Sequence, residues 1–244
     1  GILQDQGVGI DEIHYQASLI RSMLFEGPSN YQSATGIQIS DLYDPNKTGS
    51  TAEKCLAQLK MTGNTPEFVR VDSVTSEVHI DKGSHILSKD FVIPKGCPLV
   101  VFGGTQLLLK NGAFIVSRSP VYFFGTTDSP IHISSTDSQG GGLLVMNSPK
   151  RSEIVHTYFS DLSNGINESR FLNGAVTFYR SDVTIDATVF DSNISGDDYL
   201  NIISSRYSIK NTGFQNTISD GFDSDYSDGL IENVTLDNIG RDHQ

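Results

Sequence analysis

Positive charge is scarce in this chain. It has 17 Lys and Arg against 29 Asp and Glu, a net charge of −12 over 244 residues. So acidic a chain is a poor partner for nucleic acid or an anionic membrane, because both repel it, and no nucleic-acid partner is expected. Long apolar runs are missing as well. None approaches the ~20 residues that cross a bilayer, so no membrane insertion is expected. No signal peptide is visible, and the chain opens at Gly1 rather than at methionine. The expectation is a longer protein with an upstream domain or a removed leader. Cysteine is limited to Cys55 and Cys97. They share no C-x-x-C spacing, which argues against a zinc cage or redox pair, and both read as plain buried thiols. Serine-nucleophile motifs such as G-x-S-x-G are absent.

What is abundant is Gly, Ser, Thr, Asn and Asp, a mixture that suits a β-rich protein with many turns. Residues 1–75 read differently from the rest. Asp11 can cap a helix whose Ile13, Ala17, Ile20 and Leu24 share one face, stopped by Gly27 and Pro28. A second helix is predicted over Thr51–Met61. Ser50-Thr51-Ala52-Glu53 has capping-box form, and Cys55, Leu56 and Leu59 supply its buried stripe. The stretch between, 27–50, reads as loop.

From about Phe68 the helical period disappears. Short pieces follow one another, from "VHI" and "HILS" through "LVVF", "QLLL" and "VYFF" to "LLVM", separated by Gly, Pro, Asp or Ser. Such a string means sandwich, barrel or solenoid, and internal repetition decides among them. The chain does repeat. In "DVTIDATVFDSN", "RYSIKNTGFQNT" and "GLIENVTLDN", Ile185, Ile209 and Ile231 fall in one column, at steps of 24 and 22 residues. Phe190, Phe214 and Leu236 form a second column, and Ser192, Asn216 and Asn238 a third. An earlier copy supplies Ile154 and Phe159, 31 residues upstream, leaving room for an inserted loop around 165–174. One repeat cannot bury its apolar side chains alone; stacked coils can, at the interstrand spacing of about 4.8 Å. The Ile and Phe columns then fill the interior, and the Asn column can bond along the stack at a turn.

The same register applies to the acidic stretch "SDGFDSDYSDG". Asp198 stacks on Asp220, Leu200 on Phe222, Asn201 on Asp223, Ile203 on Asp225 and Ser205 on Ser227, with Asp242 one step beyond Asp220. Between 181 and 244 the chain carries 12 acidic residues and 3 Lys or Arg. Three readings follow. Clustered carboxylates can bind calcium, with Asp220, Asp223 and Asp225 as ligands, although the EF-hand pattern fails: the position for its bidentate Glu is Val234. Paired carboxylates can cleave a glycosidic bond, with Asp198, Asp220, Asp223 and Asp225 as the catalytic candidates. Aspartates can also simply repeat because each coil needs the same turn. Asn201, Arg206 and Tyr226 flank the cluster as substrate-binding candidates. Arg206 equally suits a plain ion pair with an aspartate of the stack. The histidines His14, His79, His85, His132 and His156 share no spacing, and His243 only neighbours Asp242.

The segment from Ser84 to Ser138, with its "GTTDSPIHISS" step, resembles the opening coils of right-handed parallel β-helix proteins of the pectate-lyase-like superfamily. The segment from "GAVTFYRSDVTI" to "LIENVTLDNIG" resembles the β-helix region of bacterial spore-coat-H-like surface proteins. The resemblance covers about residues 78–244. It implies the fold and, for many members, action on acidic polysaccharides. Polygalacturonase-like hydrolases of that superfamily carry N-T-D, D-D, G-H-G and R-I-K motifs in that order. Here Asp197-Asp198 matches the D-D element and Ser219-Asp220-Gly221 faintly matches the first. Their order is reversed, and G-H-G and R-I-K do not occur.

The sequence thus predicts an all-β chain: a right-handed parallel β-helix over 76–244 behind a small helical N-terminal segment over 1–75, which is a cap or the tail of a preceding domain. Because Asp242 opens a new coil close to the last residue, a C-terminally truncated solenoid is expected. The expected role is an extracellular or cell-surface module that recognises or displays polysaccharide through its Asp-rich face, needing no cofactor, with calcium as the candidate ion. The alternatives are a polysaccharide lyase, hydrolase or epimerase and a structural spacer.

Overall fold

The structure, a computed structural model, describes residues 51–164 and 173–241. The expected helix over 11–24, the loop over 27–50, most of the expected insertion, His14, Asp242 and His243 lie outside these residues.

Helix α1 (Thr51–Met61) has the bounds expected from its capping box. Everything after it is strand and turn. Strands β1 to β21 lie in three sheets, and each circuit of the chain contributes one strand to each. The first face stacks β2 (Val78–Ile80), β5 (Leu99–Phe102), β8 (Val121–Phe124), β11 (Ser152–Val155), β14 (Val183–Asp186), β17 (Arg206–Lys210) and β20 (Asp228–Glu232). The second stacks β3 (Gly83–Leu87), β6 (Thr105–Leu109), β9 (Ile131–Ser135), β12 (Thr157–Ser160), β15 (Val189–Asp191), β18 (Gly213–Gln215) and β21 (Thr235–Asp237). The third stacks β4 (Phe91–Ile93), β7 (Ile115–Ser117), β10 (Leu143–Met146), β13 (Gly174–Tyr179), β16 (Asp198–Ile203) and β19 (Asp220–Asp225). All these pairings are parallel; β1 (Val69–Val71) alone joins antiparallel, on β2. This is the expected parallel β-solenoid, of about six turns.

Register fixes the core. On the first face Ile80, Val101, Phe123, Ile154, Ile185, Ile209 and Ile231 form one continuous column. On the second, Leu107, Ile133, Phe159, Phe190, Phe214 and Leu236 form another. Within it the rings of Phe159, Phe190 and Phe214 stack at 5.1 and 4.9 Å between centroids. The Ile and Phe columns read from the sequence are present, and both run further upstream than the repeat alone indicated.

A solenoid must turn three corners per circuit within a few residues. From β10 onward each corner places a non-glycine residue in the left-handed region, at φ 45–48° for His156, Ala187 and Asn211 and 53° for Asn233. Asn tolerates this conformation better than most residues, and its amide can bond along the stack. Asn233 Nδ2 donates to Asn211 Oδ1 at 2.7 Å, and Asn211 Nδ2 to Asp186 Oδ1 at 2.8 Å. At the next corner Asn238 donates to Asn216 and Asn216 to Asp191. Ser192 shares the expected column with Asn216, but the amide chain passes to Asp191 beside it. At the third corner serines do the work. The backbone N–H groups of Ser148, Ser181 and Ser205 donate to the Oγ atoms of Ser181, Ser205 and Ser227 in the following coil.

The two cysteines correct an expectation. They are buried, as anticipated, but Cys55 of α1 and Cys97 ahead of β5 form a disulfide, with Cα atoms 5.7 Å apart. The pairing depends on α1 lying across the first coil, where Cys55 and Leu59 join the main apolar core. Helix and strands therefore belong to one compact unit. Cys97→Ser should lower unfolding free energy by about 4 kcal/mol, the loop-closure value for the 42-residue separation. Denaturant titration with and without reductant checks this; reductant should not shift the variant.

Candidate functional site

On the third face, alternation breaks at each of the last three strands. Ala175 and Val176 both enter the core, as do Tyr199 and Leu200. A β carbon at Gly221 would lie 3.0 Å from the Phe214 Cβ, so this position points inward too, next to Phe222 on the core's edge. The ladder skips these residues: β13, β16 and β19 pair Gly174 with Asp198 and Asp220, then Val176 with Leu200 and Phe222. Two consecutive inward residues bring positions three apart onto the same outer side. Asp198 and Asn201 thereby meet, and Asn201 Nδ2 donates to Asp198 Oδ2 at 2.7 Å. The inward turn is held by Tyr199, whose hydroxyl donates to the Asp191 carbonyl at 3.1 Å and whose ring meets Phe190 edge-on.

The outer columns are the expected ones: Asp198 on Asp220, Asn201 on Asp223, and Ile203 on Asp225. Their exposure is graded. Asp198 and Asn201 are 2% and 1% exposed. Asp223 and Asp225 are half-buried, and Asp220 is exposed. Tyr226, at the corner after Asp225 with φ 50°, is 83% exposed. Asp197, which the sequence reading did not place in the site, accepts a hydrogen bond from Ser219 Oγ at 3.2 Å. Its carbonyl receives the Asp220 N–H.

Burial makes this cluster unusual electrostatically. Asp198 is pushed up to about 7, first by loss of solvent, with the Asn201 amide opposing and Asp223, Asp197 and Asp220 adding repulsion. Asp225 is also raised, by burial and then by Asp223. Asp198 can thus give or take a proton near neutrality. Asn201 Oδ1 is buried without a hydrogen-bond partner. Among the described residues, no three acidic, His or Cys side chains converge to hold a metal ion.

Arg206 does not join this cluster. It opens β17 on the first face, where its guanidinium pairs with Asp182 at 3.1 Å and its N–H donates to Asp182 Oδ1 at 2.9 Å. The ion-pair reading of Arg206 holds, with Asp182 rather than the third-face aspartates as partner. Three of the four described histidines have local partners: His85 meets the Asp81 carbonyl and the Phe68 ring, His79 meets Glu77, and His132 stacks on Tyr158.

No family model, no curated protein and no solved structure matches the chain. Of the expected resemblance, the structure supports the parallel β-solenoid architecture.

The raised carboxyl has a stability consequence. A folded-state value near 7 against about 4 unfolded means the native chain keeps a proton that the unfolded chain releases. This group therefore costs stability progressively as pH rises from about 4 to 7, and the full cost remains above 7. Asp198→Asn removes it while keeping an acceptor for Asn201. Thermal melts at pH 5 and pH 8 should show the variant gaining a few degrees over the parent at pH 8 and much less at pH 5. Equal shifts at both pH values would contradict the assignment.

Proposed function

We propose that this solenoid is an extracellular or cell-surface module that recognises polysaccharide across the outer face of β16 and β19. The observation that supports the reading most is the sequential exposure of Asp223, Asp225, Asp220 and Tyr226 over a buried Asp198–Asn201 pair. Carboxylates accept hydrogen bonds from sugar hydroxyls, and an exposed tyrosine ring offers an apolar face to the pyranose C–H surface. Asp198 and Asn201 lie beneath this surface and support it, so direct contact falls to Asp220, Asp223, Asp225 and Tyr226. An acidic face favours neutral or basic glycans over acidic ones. The Cys55–Cys97 disulfide supports placement outside the reducing cytosol.

A catalytic reading stands second, favoured by Asp198: a carboxyl near 7 with Asp220 and Asp223 in the neighbouring coil suits proton donation to a glycosidic oxygen. Binding and cleavage separate on a glycan array run together with a reducing-end assay. Recognition predicts retained glycan, no new reducing ends, and about tenfold weaker binding for both Asp220→Ala and Tyr226→Ala. Release of new ends that stops in Asp198→Asn would favour catalysis, and neither retention nor release would overturn both. Repeating the array with chelator tests the calcium ligation by Asp220, Asp223 and Asp225; the recognition reading expects unchanged binding.

A further inference from the structure

Two outer columns of the first face depart from the usual order of apolar inside and polar outside. One runs through His79, Val100, Tyr122 and Glu153, the other through Phe102, Phe124 and Val155. A sheet face turned to water is ordinarily polar. Later coils obey: Thr184 and Ser208 continue the first column, Asp186 and Lys210 the second. The fold therefore does not require the aromatic side chains of β5 and β8 to face outward. Phe102 and Phe124 are nonetheless 39% and 40% exposed, with Tyr122 and Val155 half-buried around them.

These side chains form one aromatic surface. The rings of Tyr122 and Phe124, two residues apart on β8, have parallel planes, with centroids 6.0 Å apart. Phe102, one coil back, lies 6.5 Å from Phe124, and His79 meets Phe102 edge-on at 5.7 Å. Carboxylates flank the surface on two sides. Glu153 stacks on Tyr122 from the following coil, and Glu77 stands on the β2 side, bonded to His79 at 3.1 Å. Burial first, then Glu153 and Glu77, hold the Tyr122 hydroxyl above its ordinary value, so both acids act on this ring. Among the described residues, neither Glu77 nor Glu153 pairs with a Lys or Arg. Arg70, beside His79 on β1, is taken by Asp81, and Arg151, two residues before Glu153, by Asp182.

We propose that this surface binds a chain of amino sugars, with pyranose C–H faces against Phe102, Tyr122 and Phe124 and a sugar ammonium against Glu153. Aromatic faces attract both apolar C–H surface and cations. A carboxylate beside them prefers a charged donor to a neutral amide, so a free amine is selected over its acetylated form. An acidic glycan would be repelled, and a neutral one would leave Glu153 without a counter-charge. A peptide strand is a poorer occupant, because β5, β8 and β11 are paired on both sides and offer no free backbone edge. The surface shares no residue with the outer face of β16 and β19. It is a second site, and neither reading rests on the other.

The test is a calorimetric titration of the 244-residue chain with a glucosamine hexamer. It is run at about pH 5.5, where the amines are protonated and glutamate is ionised, in physiological salt that screens the chain's overall charge. Saturable binding is expected, and the N-acetylated hexamer should bind about tenfold more weakly. Phe124→Ala should weaken the glucosamine hexamer about tenfold, and Glu153→Gln should bring the two hexamers within about twofold of each other. Both side chains are exposed, and circular dichroism melts establish that each variant folds. No saturable binding overturns the proposal. Unchanged binding by Phe124→Ala does so too, since charge attraction alone would then hold the ligand. Loss confined to Tyr226→Ala would move the binding to the third face and equally overturn it. An arginine-rich peptide that binds more tightly than the hexamer, and loses affinity in Phe124→Ala and Glu153→Gln, would overturn the choice of occupant.

Discussion

Parallel stacking at the interstrand distance of about 4.8 Å is the constraint on which everything else in this protein depends. It makes each residue the vertical neighbour of one about two dozen positions away, so the choice at one coil sets what the next can hold. Buried columns of Ile and Phe turn this repetition into a continuous core. Asparagine and serine ladders turn it into satisfied corners. Like charges placed one above another have no such resolution. Where the first face stacks charge it alternates sign, as at Asp186, Lys210 and Glu232.

The third face breaks that pattern. Asp198 lies on Asp220, and Asn201 separates Asp198 from Asp223 and Asp225 by only an amide. The fold tolerates this by raising one carboxyl to about 7, so that it is partly protonated near neutrality, and holding it with an amide donor. Retention of a feature that costs stability is expected where the site has a task. The break in alternation at Tyr199–Leu200 belongs to the same construction, since without it Asp198 and Asn201 would face opposite sides.

Much of this was legible in the sequence because the fold is periodic. Ile185, Ile209 and Ile231 stand in one column because residue type and spacing recur together, and the Asp198–Asp220 pairing followed from the same register. Helix α1 was readable from its capping box and Leu59 stripe. What escaped notice depends on geometry between elements or on exceptions to the period. The Cys55–Cys97 bond joins a helix to a coil across 42 residues, and nothing in either local pattern signals it. The Asn211–Asn233 ladder was missed because its upstream coil has Ala187 at the same corner, so no column of like residues appears. Tyr199 carries no signal of its own in the sequence; that it turns inward beside Leu200, and so buries Asp198, follows only from packing on Phe190.

Methyl-selective NMR tests the stacking most directly. In deuterated protein with labelled isoleucine methyls, the account predicts cross-relaxation from Ile154 to Ile185, from Ile185 to Ile209, and from Ile209 to Ile231, each assigned by substitution to Val. Finding Ile209 coupled to neither of its partners, with its methyls contacting unrelated residues, would contradict the coiled register and the acidic face that depends on it.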